Sequence, residues 1–261
     1  MLDWNPALYR RYEDERTRPA QDLLARVPLT EASRVFDLGC GPGNSTELLV
    51  RRFPGAQVVG TDNSEPMLVS ARERLPQARF ELSDISTWRP ETPPDLIYAN
   101  AALQWVPDHE ALIPRLFAAL APGGVLAIQM PDNRQEPTHR IMREVASEAP
   151  WANAIGDADK IRTELLGIEG YYDLLAAKAA DVANVDVWRT AYQHPMASAA
   201  AIVEWVSGTG LKPFVDRLTP ELKSSYLAEY ERRIDGAYPP RADGRRLLAF
   251  PRMFIVAQRK A

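Results

Sequence analysis

Short apolar runs alternate with longer amphipathic stretches through the first half of the chain. Arg34–Gly39 (RVFDLG), Ala56–Asp62 (AQVVGTD), Ala78–Asp84 (ARFELSD), Asp95–Asn100 (DLIYAN) and Gly124–Pro131 (GVLAIQMP) are short and bounded by Pro, Gly or Asp. They carry β-branched or aromatic residues, and the pattern predicts five strands. Between them, NSTELLVRRFP, SEPMLVSARERLP and DHEALIPRLFAALAPGG predict helices. The first opens on an Asn44-Ser45 cap. The second has Ser64 as cap with Pro66 in its first turn. The third has Asp108 as cap and stops at Pro122-Gly123-Gly124. Strand–helix alternation implies a parallel sheet with helices on both faces and right-handed crossovers.

The second half changes character. Residues 133 to about 183 read as helical. Val185–Pro195 (VDVWRTAYQHP) alternates apolar and polar positions, with Val185, Val187, Arg189 and Ala191 on one side. Residues 197 to about 235 read as helical again, and Phe250–Lys260 (FPRMFIVAQRK) as a closing strand. The two late strands complete a doubly wound, seven-stranded α/β sheet, with a helical cap inserted in the C-terminal half. No Pro- or Gly-rich linker marks a second independent domain.

Composition narrows the functional classes. Of 261 residues, 46% are hydrophobic and 25% charged, ordinary for a globular chain. A net charge of −4 and a pI near 5.6 give no basic footprint, which argues against a nucleic-acid partner. The arginine pairs 51-52, 232-233 and 245-246 read singly as solvated faces. One cysteine, Cys40, allows no internal disulfide and fits a reducing compartment. The N-terminus is too charged for a secretory signal, and no run approaches the ~20 apolar residues of a membrane span. The expectation is a cytoplasmic monomer that does not meet a membrane.

The stretch Val35–Ser45 (VFDLGCGPGNS) packs three glycines into five residues directly after the first strand. Open parallel sheets bind ligands there, at the carboxyl ends of the strands. The spacing Gly39-x-Gly41-x-Gly43 puts the third glycine one residue too early for a dinucleotide fingerprint. Asp37, two residues before Gly39, would repel a pyrophosphate and attract a cationic group. The missing Gly-Lys-Ser/Thr excludes a phosphate-binding P-loop. Asp62 follows at the end of the second strand, where an acid commonly accepts from ribose hydroxyls. Asp84 ends the third and could accept from a purine amine. Each acid alone could be a strand-end cap; three in succession point to a ligand.

These residues resemble the class I S-adenosylmethionine-dependent methyltransferases. FDLGCGPG is similar to their first motif, GTDNSEPML to the second, SDI to the third, and APGG to the turn before the fifth strand; the match covers about residues 30–130. The resemblance implies a Rossmann-like fold with S-adenosyl-L-methionine as cofactor. Gly39, Cys40, Gly41 and Gly43 would cradle its methionine part, with Asp37 acting through hydrogen bonds. Asp62, with Asn63 beside it, would hold the ribose. Met67 and Ile85 would flank the adenine, Asp84 would accept from its amine, and the Asn100 backbone would face the methionine end. Cys40 serves through its backbone, since no histidine lies near it in sequence. The organisation expected is a single methyltransferase domain over 1–261. Within it, 1–30 form an N-terminal helical lid, 31–131 a cofactor-binding core, and 132–184 and 197–245 helical cap insertions.

Methyl transfer from a sulfonium needs alignment and exclusion of water, and no metal. A carboxylate acceptor is already ionised at pH 7; a phenol or amine would want a base. Histidines are scarce: His109 and His139 at helix starts, the former expected on the surface, and His194 at a strand end. No metal-binding spacing occurs among them. Asn100–Trp105 (NAALQW) lacks the (D/N)-P-P-(Y/F) pattern of nucleic-acid N-methylation. DWNPALYRRYEDERTRPAQDLLARV, NAALQWVPDH, GTGLKPFVDRL and FPRMFIVAQR resemble the narrower family of trans-aconitate 2-methyltransferases. That implies a carboxyl O-methyltransferase esterifying trans-aconitate or a close small polycarboxylate, with positioning chemistry and no catalytic base. Such a polyanion demands basic side chains and hydrogen-bond donors. Candidates are Tyr9, Tyr12 and Arg18 near the N-terminus, Gln104 and Trp105 after the fourth strand, and Arg245, Arg246 and Arg252 near the end, with Lys212 as a further cation. The alternatives are a methyltransferase acting on a phenol or secondary metabolite, an NAD-dependent oxidoreductase, and a non-catalytic subunit.

Overall fold

The computed structural model describes residues 13–178 and 181–261. Tyr9 and Tyr12 lie outside the described residues. Seven strands run in chain order: β1 (Arg34–Leu38), β2 (Gln57–Asp62), β3 (Arg79–Leu82), β4 (Leu96–Asn100), β5 (Val125–Pro131), β6 (Val182–Met196) and β7 (Arg246–Arg259). They form one sheet in the order β3-β2-β1-β4-β5-β7-β6. The described helices are α1 (Glu13–Leu24), α2 (Asn44–Arg52), α3 (Glu65–Arg74), α4 (His109–Ala118), α5 (Pro137–Ala146), α6 (Ala152–Ile155), α7 (Ile168–Lys178), α8 (Ala199–Ser207), α9 (Lys212–Val215) and α10 (Pro220–Ala237).

β1, β2, β3, β4 and β5 pair in parallel, and β7 runs antiparallel to β5. The order steps outward on both sides of the β1–β4 pair. The chain therefore reverses direction across the sheet there, and a crevice opens at the strand ends. β4 and β5 are almost wholly buried, as their unbroken apolar runs predict. β6 is half-exposed along its length, consistent with its place at the sheet edge.

The described chain divides into two compact units. One holds Asp132–Thr163 and Thr190–Pro251; the other holds the rest. Residues 164–178, expected within the first cap insertion, belong to the second of these. There Tyr171, Leu174 and Leu175 of α7 pack into the same core as Leu112, Leu116 and Phe117 of α4. In the same unit the Tyr98 hydroxyl donates to the Ala20 carbonyl (2.6 Å), fixing α1 to β4. In the other unit, α5 and α10 are joined by two buried tyrosines. Tyr226 donates to the Met142 carbonyl (2.8 Å) and Tyr230 to that of Thr138 (3.0 Å).

Candidate functional site

The site begins where β1 ends. The main chain turns through Gly39–Gly43, and α2 opens with Gly43 as its N-cap. The Asn44-Ser45 cap is therefore corrected: both residues lie inside the first helical turn. The hydroxyls of Ser45 and Thr46 instead donate to one oxygen of Asp37, at 2.7 Å each. The amides of Gly39 and Cys40 donate to the Thr61 carbonyl at 2.7 and 2.9 Å, tying the turn to β2. Asp62 completes the tie. Its Oδ2 accepts from the Gly41 amide and its Oδ1 from the Ser64 amide, both at 2.9 Å.

Two glycines have different reasons to be glycine. Both hold left-handed φ, +72° at Gly39 and +54° at Gly41. A Cβ on Gly39 would stand 2.3 Å from the Ala102 Cβ, so here close packing excludes a side chain. A Cβ on Gly41 would meet nothing within 4 Å. The loop is thus packed against β4's end at Gly39 and open at Gly41, where a ligand can approach the main chain.

Charge follows the same geometry. Asp37 is fully buried, and burial raises its carboxyl to about 6 against the pull of the Thr46 and Ser45 hydroxyls; the Asp62 charge adds to the rise. Its Oδ1 has no hydrogen-bond partner. Burial also raises Asp62, opposed by the amides of Gly41, Ser64 and Asn63. Asp84 is exposed beyond β3 and accepts at Oδ1 from the amide and hydroxyl of Ser86 (2.8 and 2.7 Å). Asn63 is exposed; Met67, in the first turn of α3, and Ile85 are buried apolar residues. Cys40 turns its thiol into a cluster with Leu68, Ala71, Leu75 and Phe80. Burial, then the charges of Asp37 and Asp62, push that thiol well up, which suits packing and opposes nucleophilic use.

A second set of polar groups lies at the ends of β4 and β5. Register places Asn100 beside Gln129. Asn100 Oδ1 and Gln129 Nε2 are buried without partners. Ala101 holds φ 54°, unusual for a residue with a side chain. Its carbonyl accepts from Gln104 Nε2 at 2.7 Å, leaving the buried Gln104 Oε1 unpartnered. Arg252, buried on β7 opposite Pro131, stands 3.5 Å from Gln129 Oε1 through Nη1. An unpartnered buried polar atom costs about 1–3 kcal/mol, so several at one end of a sheet mark a place built for a ligand. Gln129 was not among the expected site residues. Its signal was available: it is the one polar side chain in GVLAIQMP.

The remaining candidates are dispersed. Trp105 is half-buried and Arg18 exposed on α1. Arg245 and Arg246 belong to the other unit. Arg245 is exposed; Arg246 pairs with Asp235 and donates to the carbonyls of Asp235 and Tyr238. Lys212, in the same unit, pairs with Asp216 at 2.6 Å. His109 is corrected from surface to core: its ring nitrogens contact the Tyr171 hydroxyl (2.6 Å) and the Leu103 carbonyl (2.8 Å). His139 is buried beside Thr138, and His194 lies 4.8 Å from the Trp205 ring.

Residues 9–213 match the family described as "Methyltransferase domain". The chain is 80% identical to the trans-aconitate 2-methyltransferase of Variovorax paradoxus (strain S110), over 100% of both chains. Among solved structures it is similar to the YcgJ protein of Bacillus subtilis, with a TM-score of 0.59 and 12% identity over 94% of this chain and 99% of that one. It is also similar to Haemonchus contortus phosphoethanolamine N-methyltransferase 2, solved in complex with S-adenosyl-L-methionine. That match has a TM-score of 0.55 and 17% identity, over 94% of this chain and 53% of the other. At these identities the structural likenesses speak for the fold.

Proposed function

The chain belongs to the trans-aconitate 2-methyltransferase family, and on that footing we propose that it transfers a methyl group from S-adenosyl-L-methionine to one carboxylate of trans-aconitate, forming a monoester. The observation that carries the reading is full-length identity of 80% in a chain whose glycine loop is intact and open at Gly41. The bound cofactor supplies the electrophilic methyl on a sulfonium.

The chain's own residues bind and align. Gly39, Cys40, Gly41 and Gly43 offer main chain to the methionine part, with Asp37 buried behind them. Asp62, already clamping the loop, has lone pairs left for ribose hydroxyls beside Asn63. Met67 and Ile85 flank the adenine, Asp84 accepts from its amine, and Asn100 lies at the methionine end. Two acids at one loop favour a ligand with an ammonium and a sulfonium over a pyrophosphate. For the acceptor, Arg252 offers a guanidinium and Gln129 an amide N–H. Gln104 has one N–H left after bonding Ala101, and Trp105 can exclude water. Arg18, Arg245, Arg246, Tyr9 and Tyr12 stay candidates for the same task. The acceptor carboxylate is ionised above about pH 6, so no residue need take a proton from it.

Labelled-methyl transfer to trans-aconitate, cis-aconitate, citrate and a panel of phenols tests the reading. The expected outcome is a methyl ester of trans-aconitate, with a rate that needs no group of pKa near 7 for activation. Transfer to a phenol and to no polycarboxylate would overturn the substrate while leaving a methyltransferase.

A further inference from the structure

Side-chain alternation sorts the residues at the carboxyl ends of β4 and β5 onto two faces. Ala99, Ile128, Met130 and Met253 point into the core they share with α4 and α7. Asn100, Gln129 and Arg252 therefore project from the opposite face. Register sets Asn100 beside Gln129, and Arg252 two positions from Phe254, the residue opposite Gln129. This is also the face of Tyr98, whose hydroxyl reaches the Ala20 carbonyl of α1. The three polar residues belong to one unit.

Gln129 is the middle member of the row and is fully buried. Its Oε1 stands 3.5 Å from Arg252 Nη1. A guanidinium offers only N–H groups, so the amide must turn its oxygen toward Arg252. Nε2 is thereby aimed the other way, and it has no hydrogen-bond partner among the described residues. Asn100 lies next to it in register, yet Asn100 Oδ1 is also without a partner there, so the two amides do not satisfy each other. Gln104 Oε1, in the turn after β4, is a third such atom. A buried N–H that bonds nothing is costly, and an acceptor brought in from outside removes the cost.

The reaction decides which acceptor the N–H serves. A hydrogen bond draws charge from the oxygen that accepts it. On the attacking carboxylate, that contact weakens as the oxygen gives up its charge to the methyl carbon, so it opposes transfer. On a carboxylate that does not react, the contact persists unchanged through the transition state and only holds the substrate in place. We propose that Gln129 is a specificity-determining residue: its Nε2 donates to a carboxylate of the acceptor other than the one methylated, which makes a second carboxylate a condition of tight binding. This rests on the reading of the chain as acting on trans-aconitate and gives Gln129 a narrower task within it.

The test is steady-state methyl transfer by the full chain at saturating S-adenosyl-L-methionine. In Gln129→Leu, KM for trans-aconitate should rise at least about tenfold, the loss of one charge-assisted contact, with kcat within about threefold. Gln129→Glu keeps an oxygen toward Arg252 and replaces the N–H groups by a second oxygen. It should raise KM further, because a carboxylate there repels the substrate. Calorimetric affinity for S-adenosylhomocysteine should stay within about threefold in both. For crotonate, which has no second carboxylate, kcat/KM in Gln129→Leu should match wild type within about twofold. A purely structural role would shift the melting temperature and leave KM alone. If Gln129→Leu does not fold, the isosteric Gln129→Glu still decides. A tenfold gain in kcat in Gln129→Leu would place the contact on the reacting carboxylate and overturn the proposal. A tenfold fall in S-adenosylhomocysteine affinity with KM unchanged would assign the N–H to the cofactor's carboxylate and overturn it too. Unchanged KM in folded variants, with methyl transfer intact, sinks this proposal alone. A wild-type chain that does not methylate trans-aconitate sinks the proposed function as well.

Discussion

The glycine loop and the arginine cluster are both polar, and they are built by opposite means. The loop is made of main chain. Gly39, Cys40 and Gly41 are held by the Thr61 carbonyl and the Asp62 carboxylate, and Asp37 is held by hydroxyls eight and nine residues on. The cluster is made of side-chain charge: in the unit formed by Asp132–Thr163 and Thr190–Pro251, Arg134 and Arg143 reach the same oxygen of Asp159, at 3.1 and 3.0 Å. Backbone geometry tolerates almost no substitution but is indifferent to salt. Charge tolerates rearrangement but depends on what neutralises it. The difference teaches where each region should fail.

The sharpest break is Gly39→Ala. Its Cβ would meet Ala102 at 2.3 Å on a backbone at φ +72°, so either the loop or the end of β4 must move. Binding of S-adenosylhomocysteine should weaken by about a hundredfold or more, or the thermal transition should broaden and fall; calorimetry and melting report both. Gly41→Ala, with open space ahead of it, should carry only the left-handed strain of roughly 1–2 kcal/mol. Equal losses in the two would erase the distinction between a packed and an open glycine.

Asp37 sharpens the electrostatic side. Its folded pKa, about 6, lies above the unfolded value near 3.8, so the native state binds the extra proton. The stability tied to it is therefore complete below pH 4 and lost as the pH rises through 6. Asp37→Asn keeps an oxygen for Ser45 and Thr46 and removes the titration. In the ligand-free protein it should be the more stable form at pH 8 by about 2–3 kcal/mol, with little gap at pH 4. Urea melts across that range check it; a gap that does not change with pH would remove the buried charge from the account.

Asp62→Ala has a smaller expected effect. It releases the amides of Gly41 and Ser64, and water replaces part of what is lost. Affinity for S-adenosylhomocysteine should fall about tenfold, or about 1.4 kcal/mol, with the fold intact by circular dichroism. Unchanged affinity would make Asp62 a strand-end cap only.

The same contrast explains what could be read from the sequence. The five early strands and the helices between them were legible because short apolar runs and breakers are local signals. The loop was legible because its parts lie within residues 35–64. Ser45 was misread as a cap, because nothing local says that a hydroxyl two residues past Gly43 will turn back to Asp37. His109 was misread as surface because its partner, Tyr171, lies 62 residues away. Gln129 shows as a lone polar residue in an apolar strand, yet its meaning depends on Arg252, 123 residues on. The arginine cluster carries no motif at all: Arg134 comes from a turn and Arg143 from a helix, and only folding brings them to the same acid.

Cys40 has a consequence of another kind. Its thiol is sealed among Leu68, Ala71, Leu75 and Phe80, while its own amide holds the turn to Thr61. The chain's one sulfhydryl is therefore shut away by the very contacts that keep the glycine turn closed. A thiol reagent added to the native enzyme must wait for that turn to open, so labelling of this single atom is a clock for loop breathing, installed without engineering and slowed by whatever ligand stabilises the closed turn.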